Sequence, residues 1–215
     1  NSYRTAHNLI AEELLWQLLS PTSTPEKDFW KQQLSTWAIQ FAQMLRGDWQ
    51  TSGEQLVDLA SRVFVVRDNT ELLGTESSAQ SRFAQLIEDI PAVHGRLAVL
   101  HQLAELFPEQ AHFHAHLGRF CGLNGRFTEA MSSVDRAIEI SPHDGVLHHM
   151  RGMTFRYQLR PLMDASAKLP EVLPLAREAR EAFARSRELN PENQYAYISE
   201  VEMLARVLDY AAKQS

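Results

Sequence analysis

Residues 138–144 read "IEISPHD", and the same ending appears as "AELFPEQ" at 104–110 and "RELNPEN" at 187–193: Glu, an apolar residue, any residue, then Pro. Pro108 and Pro142 are 34 residues apart, the period of a helix-turn-helix repeat. Working back from Pro142, residues 111–144 divide into a first helix containing Leu117 and Gly118, a turn at "GLNGRF" (122–127), and a second helix containing Ala130, Val134 and Ala137. Gly118 and Ala130 are small where paired helices must approach closely, and Pro142 stops the second helix.

The next unit begins at Gly145, with Gly152 and Phe155 in its first helix and Ala179, Phe183 and Pro191 in its second. Pro191 follows Pro142 by 49 residues, about 15 more than the ~34-residue repeat. The excess falls near 158–173, where Pro161, Pro170 and Pro174 interrupt the helical pattern, so the spacing predicts a loop or short extra turn before a helix from about Glu171 to Leu189. Upstream, "SSAQSRFAQLIEDIP" (77–91) puts Phe83, Leu86, Ile87 and Ile90 on one helical face and "HGRLAVLHQLAELF" (94–107) makes a second helix, together a degenerate first unit. "YAYISEVEMLARVLDYAAK" (195–213) suits the capping helix of a solenoid end.

Residues 111–144 resemble the tetratricopeptide family, and 145–215 resemble it with an insertion. His114 and Cys121 stand where that family usually has large aromatics, and Val134 where it has Phe, which marks a divergent copy. The resemblance implies that first helices line a groove, placing His112, Arg119, His149, Met153, Arg156, Tyr195, Glu202 and Arg206 on it. Arg binds carboxylates bidentately and Tyr offers rigid amphipathic area, so such a groove suits a peptide or an acidic segment. The alternative is a solvated surface with internal Arg–Glu pairs. The Lys and Asn positions of the carboxylate-clamp subfamily hold Ala115 and Arg119, which puts chaperone-tail binding in doubt.

The first seventy residues are helical without the 34-residue spacing. "LIAEELLWQLL" (9–19) makes one helix; Trp30, Leu34, Trp37, Phe41 and Leu45 recur at helical spacing in a second, read as core. Ser52 and Gln55 form a capping-box pattern for a third. "FVVRDNTELLGT" (64–75) turns to β-branched residues and a turn cluster, a connector that divides an N-terminal segment (1–70) from the repeat region (71–215, in units of about 77–110, 111–144 and 145–193 with a cap at 194–213). The fold class expected is all-α: a helical N-terminal segment followed by a short tetratricopeptide-like α-solenoid with a C-terminal capping helix.

"RTAHNLIAEELLWQLL" (4–19), "VVRDNTELLGT" (65–75), "RFAQLIEDIP" (82–91) and "ELFPEQAHFHAHLGRF" (105–120) together resemble the region after the nucleotide-binding module in signal-transducing P-loop ATPases of the STAND class, including bacterial antiviral proteins and sterile-alpha-motif-containing innate-immunity relatives. That resemblance implies a sensor or regulatory region. The sequence contains no G-x-x-x-x-G-K-[ST], so it would be the repeat region without its motor.

Composition limits the chemistry. With 44% hydrophobic residues over 215 positions the chain can bury a core. Net charge is −6, and the basic residues interleave with acidic ones, as in "LAREAREAFARSRE" (175–188), where Glu181 and Arg185 make a favourable i,i+4 pair. Nucleic acid, which needs clustered positive charge, is disfavoured. No segment is apolar enough to span a membrane. A single cysteine, Cys121, points to a reducing, cytosolic setting. The histidines of "HFHAHLGRF" (112–120) suggest a metal, but on a helix only His112 and His116 share a face, and the third ligand of a zinc enzyme would have to be His148 or His149. Two ligands do not make a site. Register instead assigns His114 to packing, His112 to the groove and His116 to the edge. The expectation is therefore a non-catalytic protein-interaction scaffold without metal or cofactor, binding a protein or peptide or its own kind in an assembly. A free-standing adaptor that grips a peptide is the alternative.

Overall fold

Three helices end in the same way, and that shared ending sets the architecture. The computed structural model describes residues 25–52, 65–67, 81–83, 87, 90–192 and 194–214. Among these, α1 spans Pro25–Ser52, β1 Val65–Arg67, β2 Ser81–Phe83, α2 Val93–Leu106, α3 Ala111–Leu123, α4 Phe127–Ile140, α5 Gly145–Asp164, α6 Leu169–Leu189 and α7 Gln194–Gln214. The C-caps of α2, α4 and α6 are Phe107, Ser141 and Asn190, each directly before a repeat proline. A proline crowds the preceding residue out of the α region. Accordingly the three caps share one backbone form, with φ/ψ of −125/63, −134/73 and −142/83, and each cap N–H bonds the carbonyl four residues back.

Each helix packs on the next, and each first helix also touches the first helix of the following unit: α3 on α5, α5 on α7. This is an all-α solenoid. Its closest approaches fall at glycines. A Cβ on Gly118 would lie 2.5 Å from Val134 Cγ2 and 2.8 Å from the Ala130 carbonyl oxygen, so α3 and α4 meet at backbone distance. In the next unit a Cβ on Gly152 would lie 2.5 to 2.9 Å from the Phe183 ring. Leu117, Ala130, Ala137, Ala179 and Phe183 are buried around these approaches, while Pro142 and Pro191 stand exposed at the turns.

The structure corrects the loop expected near 158–173. α5 and α6 have 20 and 21 residues where α3 and α4 have 13 and 14, so nearly all of the insertion is absorbed as about two extra turns on each helix. Pro170 lies in the first turn of α6, where a missing N–H costs nothing. Pro161 falls in the last turn of α5 and Pro174 early in α6, close enough to the ends that each helix survives the lost bond. The remaining turn is tied to α7 by the Tyr210 hydroxyl, which donates to the Ala167 carbonyl.

The upstream reading also changes. Phe83 is on a strand, not a helical face: Val65, Val66 and Arg67 pair antiparallel with Phe83, Arg82 and Ser81. The β-branched pair Val65–Val66 favours that extended form over a helix. These three-residue strands are the exception to an all-α fold, and they flank the boundary expected at residue 70. Ile87 and Ile90 are buried, as are Leu34, Ala38 and Ala42 of α1, in one core with Leu100, Leu103, Phe107, Phe113 and Cys121. On α1 the buried line therefore runs through two alanines; Trp37 and Phe41, read as core, flank it at 40% and 37% exposure. The side chains of Trp30 and Leu45, the helix at 9–19 and the capping box at Ser52–Gln55 lie outside what is described.

Candidate functional site

The residues expected on the first-helix face make contacts in two places. They divide between a joint and a cluster. His112, at the start of α3, sits at the joint: its Nε2 is 3.1 Å from Asp144 Oδ2, and Asp144 is also the N-cap of α5, accepting from the Val146 N–H at 2.9 Å. One carboxylate thus satisfies a helix N-terminus and fixes the preceding unit against it.

The cluster lies where α5 meets α7. His149 is half-buried, its Nε2 is 3.1 Å from Ser199 Oγ, and its ring lies 5.6 Å from that of Phe183. Desolvation, reinforced by the positive charges of Arg119 and Arg156, pushes its pKa down to about 4, so the imidazole is neutral at physiological pH. Arg156 reaches across to α7, its Nη2 2.6 Å from Glu202 Oε2, with 17% and 53% of the two side chains exposed. Met153, half-buried, packs with the α5–α7 core; Tyr195 is half-buried and Arg206 exposed near the ends of this row. The internal Arg–Glu pair weighed as the alternative is thus present at Arg156, within the cluster proposed for a partner.

Two histidines exchange the places that register gave them. His114 stays outside the core, its Nε2 3.1 Å from the Pro108 carbonyl, whereas His116 is completely buried. His148 repeats the His114 contact one unit later, 2.9 Å from the Pro142 carbonyl. A carbonyl only accepts, so each Nε2 carries the proton. No group of three His, Cys, Asp or Glu side chains among the described residues is arranged to hold a metal ion.

Sequence reasoning missed Ser199, Asp144 and Glu200. Asp144 had a legible signal, an Asp just before a helix-starting glycine. Glu200 had none: Arg187 and Arg180 of α6 both reach it, at 3.4 Å from Arg180, so the row of interleaved charges at 175–188 is partly an α6–α7 clamp. Arg185 bonds Glu188 rather than Glu181.

The chemistry available here is recognition by charge and shape. His149 and Ser199 touch, yet among the described residues no carboxylate orients the imidazole, and Ser199 is only 8% exposed. Burial pushes the Cys121 thiol up to about 12, with the Glu129 carboxylate adding to it, so it is not a nucleophile at neutral pH. Among the described residues no helix is long and apolar enough to cross a membrane.

Neither family models nor curated protein sequences match the chain. Among solved structures, the MamA RS-1 ArsTM double mutant is similar over 83% of this chain and 97% of that one, with a TM-score of 0.40 and 11% sequence identity.

Proposed function

We propose that this chain is a non-catalytic, tetratricopeptide-like interaction scaffold whose α5–α7 cluster takes a carboxylate from an acidic partner segment. The observation that carries the reading is the Arg156–Glu202 pair beside neutral His149. Arg156 is held in a partly buried setting where a carboxylate is its natural partner, and Glu202, more than half exposed, is a side chain that a ligand carboxylate can replace. Met153 and Tyr195 supply apolar area alongside. Arg119, a second positive charge near His149, extends the site toward α3.

Replacing Arg119 and Arg156 with Glu and comparing partner pull-downs tests this. Loss of an acidic partner with unchanged helical circular dichroism is the expected result; an unchanged partner set with intact helicity overturns it. The finer reading, that the scaffold is the cytosolic sensor or regulatory part of a larger signalling ATPase of the STAND class, rests on the short sequence resemblances above. Reading the gene upstream of Asn1 decides between them: a phosphate-binding loop supports the ATPase, and a start codon a few residues away leaves the free-standing adaptor.

A further inference from the structure

The turn between α3 and α4 makes two opposed demands on one glycine. Gly125 follows Asn124, the C-cap of α3, at φ 76°; its N–H bonds the Gly122 carbonyl at 3.2 Å, and the Arg126 N–H bonds that of Cys121 at 2.9 Å. This is the Schellman ending, whose left-handed residue is best a glycine. Yet a glycine after asparagine has no Cβ to shield its nitrogen, and that nitrogen can attack the asparagine side chain. Asn124 and Gly125 form the one Asn-Gly pair in the sequence, and both are exposed to water.

Attack joins the Gly125 nitrogen to Asn124 Cγ and breaks the Cγ–Nδ2 bond, and the Gly125 amide proton leaves with the side-chain nitrogen as ammonia. One water then opens the five-membered imide at either carbonyl, giving aspartate or isoaspartate. The folded turn opposes the first step. Asn124 has ψ 15°, so tetrahedral geometry at Cα leaves the Gly125 nitrogen roughly 135° from Cβ about the Cα–C bond, where a five-membered ring needs the two nearly eclipsed. Turning that bond carries the Gly125 and Arg126 N–H groups off their carbonyls. The leaving nitrogen is held as well, Nδ2 donating to the Phe120 carbonyl at 2.7 Å.

Once made, the product cannot rebuild this cap. A carboxylate has no N–H to give Phe120, and its negative charge stands at the C-terminal end of α3, where the helix dipole opposes it. Isoaspartate also adds a backbone carbon to the turn that sets α4 against Gly118. We propose that Asn124–Gly125 is a self-modifying site gated by the fold: the closed α3–α4 turn preserves the amide, and opening of the turn commits it to aspartate or isoaspartate, which weakens the turn permanently.

The test incubates the whole chain beside a synthetic peptide of residues 118–129 at pH 8 and follows the tryptic fragment 120–126 by mass spectrometry. Replacement of the amide by a hydroxyl changes its mass, whereas Asp144–Gly145, which can close the same ring, loses and regains water with no mass change. The folded chain should convert at least about tenfold more slowly than the peptide, equivalent to an opening free energy of about 1.4 kcal/mol or more, and the chain unfolded in urea should match the peptide in the same urea. Asn124→Asp, made directly, should have a lower denaturation midpoint than the wild type at pH 7. A folded chain that converts as fast as the peptide, or an Asn124→Asp variant with the wild-type midpoint, overturns the proposal. Neither measurement alters Arg119 or Arg156, so this result and that for the acidic partner stand apart.

Discussion

Gly118→Ala measures how closely α3 and α4 meet. In a helix interior the change alone favours the variant by roughly 0.5–1 kcal/mol, because alanine has the better propensity. Here the added Cβ would lie 2.5 Å from Val134 Cγ2 and 2.8 Å from the carbonyl oxygen of Ala130. Val134 is fully buried and cannot swing away, and a carbonyl inside α4 moves only if the helix moves. Overpacking of this kind costs about 1–3 kcal/mol, and the backbone contact places this site in the upper half of that range. The net expectation is a loss of about 1–2 kcal/mol, roughly 2–8 °C in Tm for a chain of this size. Chemical denaturation followed by circular dichroism provides the number. Val134→Ala alone should cost about 1.5–2 kcal/mol for its two methyl groups, and the double variant should cost less than the sum, since one of the two clashes is gone. A Gly118→Ala protein as stable as the wild type would refute the reasoning, as would strict additivity with Val134→Ala.

Asp144→Ala should destabilise by about 1–2 kcal/mol through the lost N-cap and the lost His112 contact, whereas Asp164→Ala, at an exposed and long ion pair, should change denaturation midpoints hardly at all. His149 has a folded pKa near 4 against about 6.5 unfolded, so the unfolded chain binds the extra proton between these values. Its contribution is complete above about pH 6.5 and is lost as pH falls toward 4, by at most about 1.4 kcal/mol per unit. The stability difference between wild type and His149→Gln should follow that slope, and a difference flat from pH 4 to 7 would rule it out. Cys121 should resist alkylation at pH 8 in the folded protein and react at once in denaturant; fast labelling of the native chain would contradict its burial.

What was legible in the sequence was whatever one residue type determines locally. Each repeat proline excludes its predecessor from the helix, so Pro108, Pro142 and Pro191 mark three helix ends. Prolines near helix termini misled, because Pro161, Pro170 and Pro174 fall where a missing N–H is cheap, and an insertion that lengthens two helices together leaves no composition signal. The histidines show the other limit. Nearly the whole circumference of α3 is buried, so periodicity could not tell which ring goes inside. His114 finds an acceptor at Pro108 and stays out, while His116, two residues on, enters the core. The α5–α7 cluster depends on contacts between residues about fifty positions apart, His149 with Ser199 and Arg156 with Glu202, whose register the inserted turns had shifted.

The histidine bonds to Pro108 and Pro142 also bear on how the molecule carries load. Each spans the linker between units, tying the new helix to the carbonyl of the proline that began the bend. Two successive joints are therefore braced by the same strut at the same position, and tension along the chain must rupture one before the units can swing apart. At the third joint the equivalent position is Tyr197, whose ring lies 5.0 Å from the Arg187 guanidinium, and Arg187 in turn grips Glu200. That brace rests on charge rather than on a backbone carbonyl, so rising salt should loosen the end carrying α7 while the first two joints keep their stiffness.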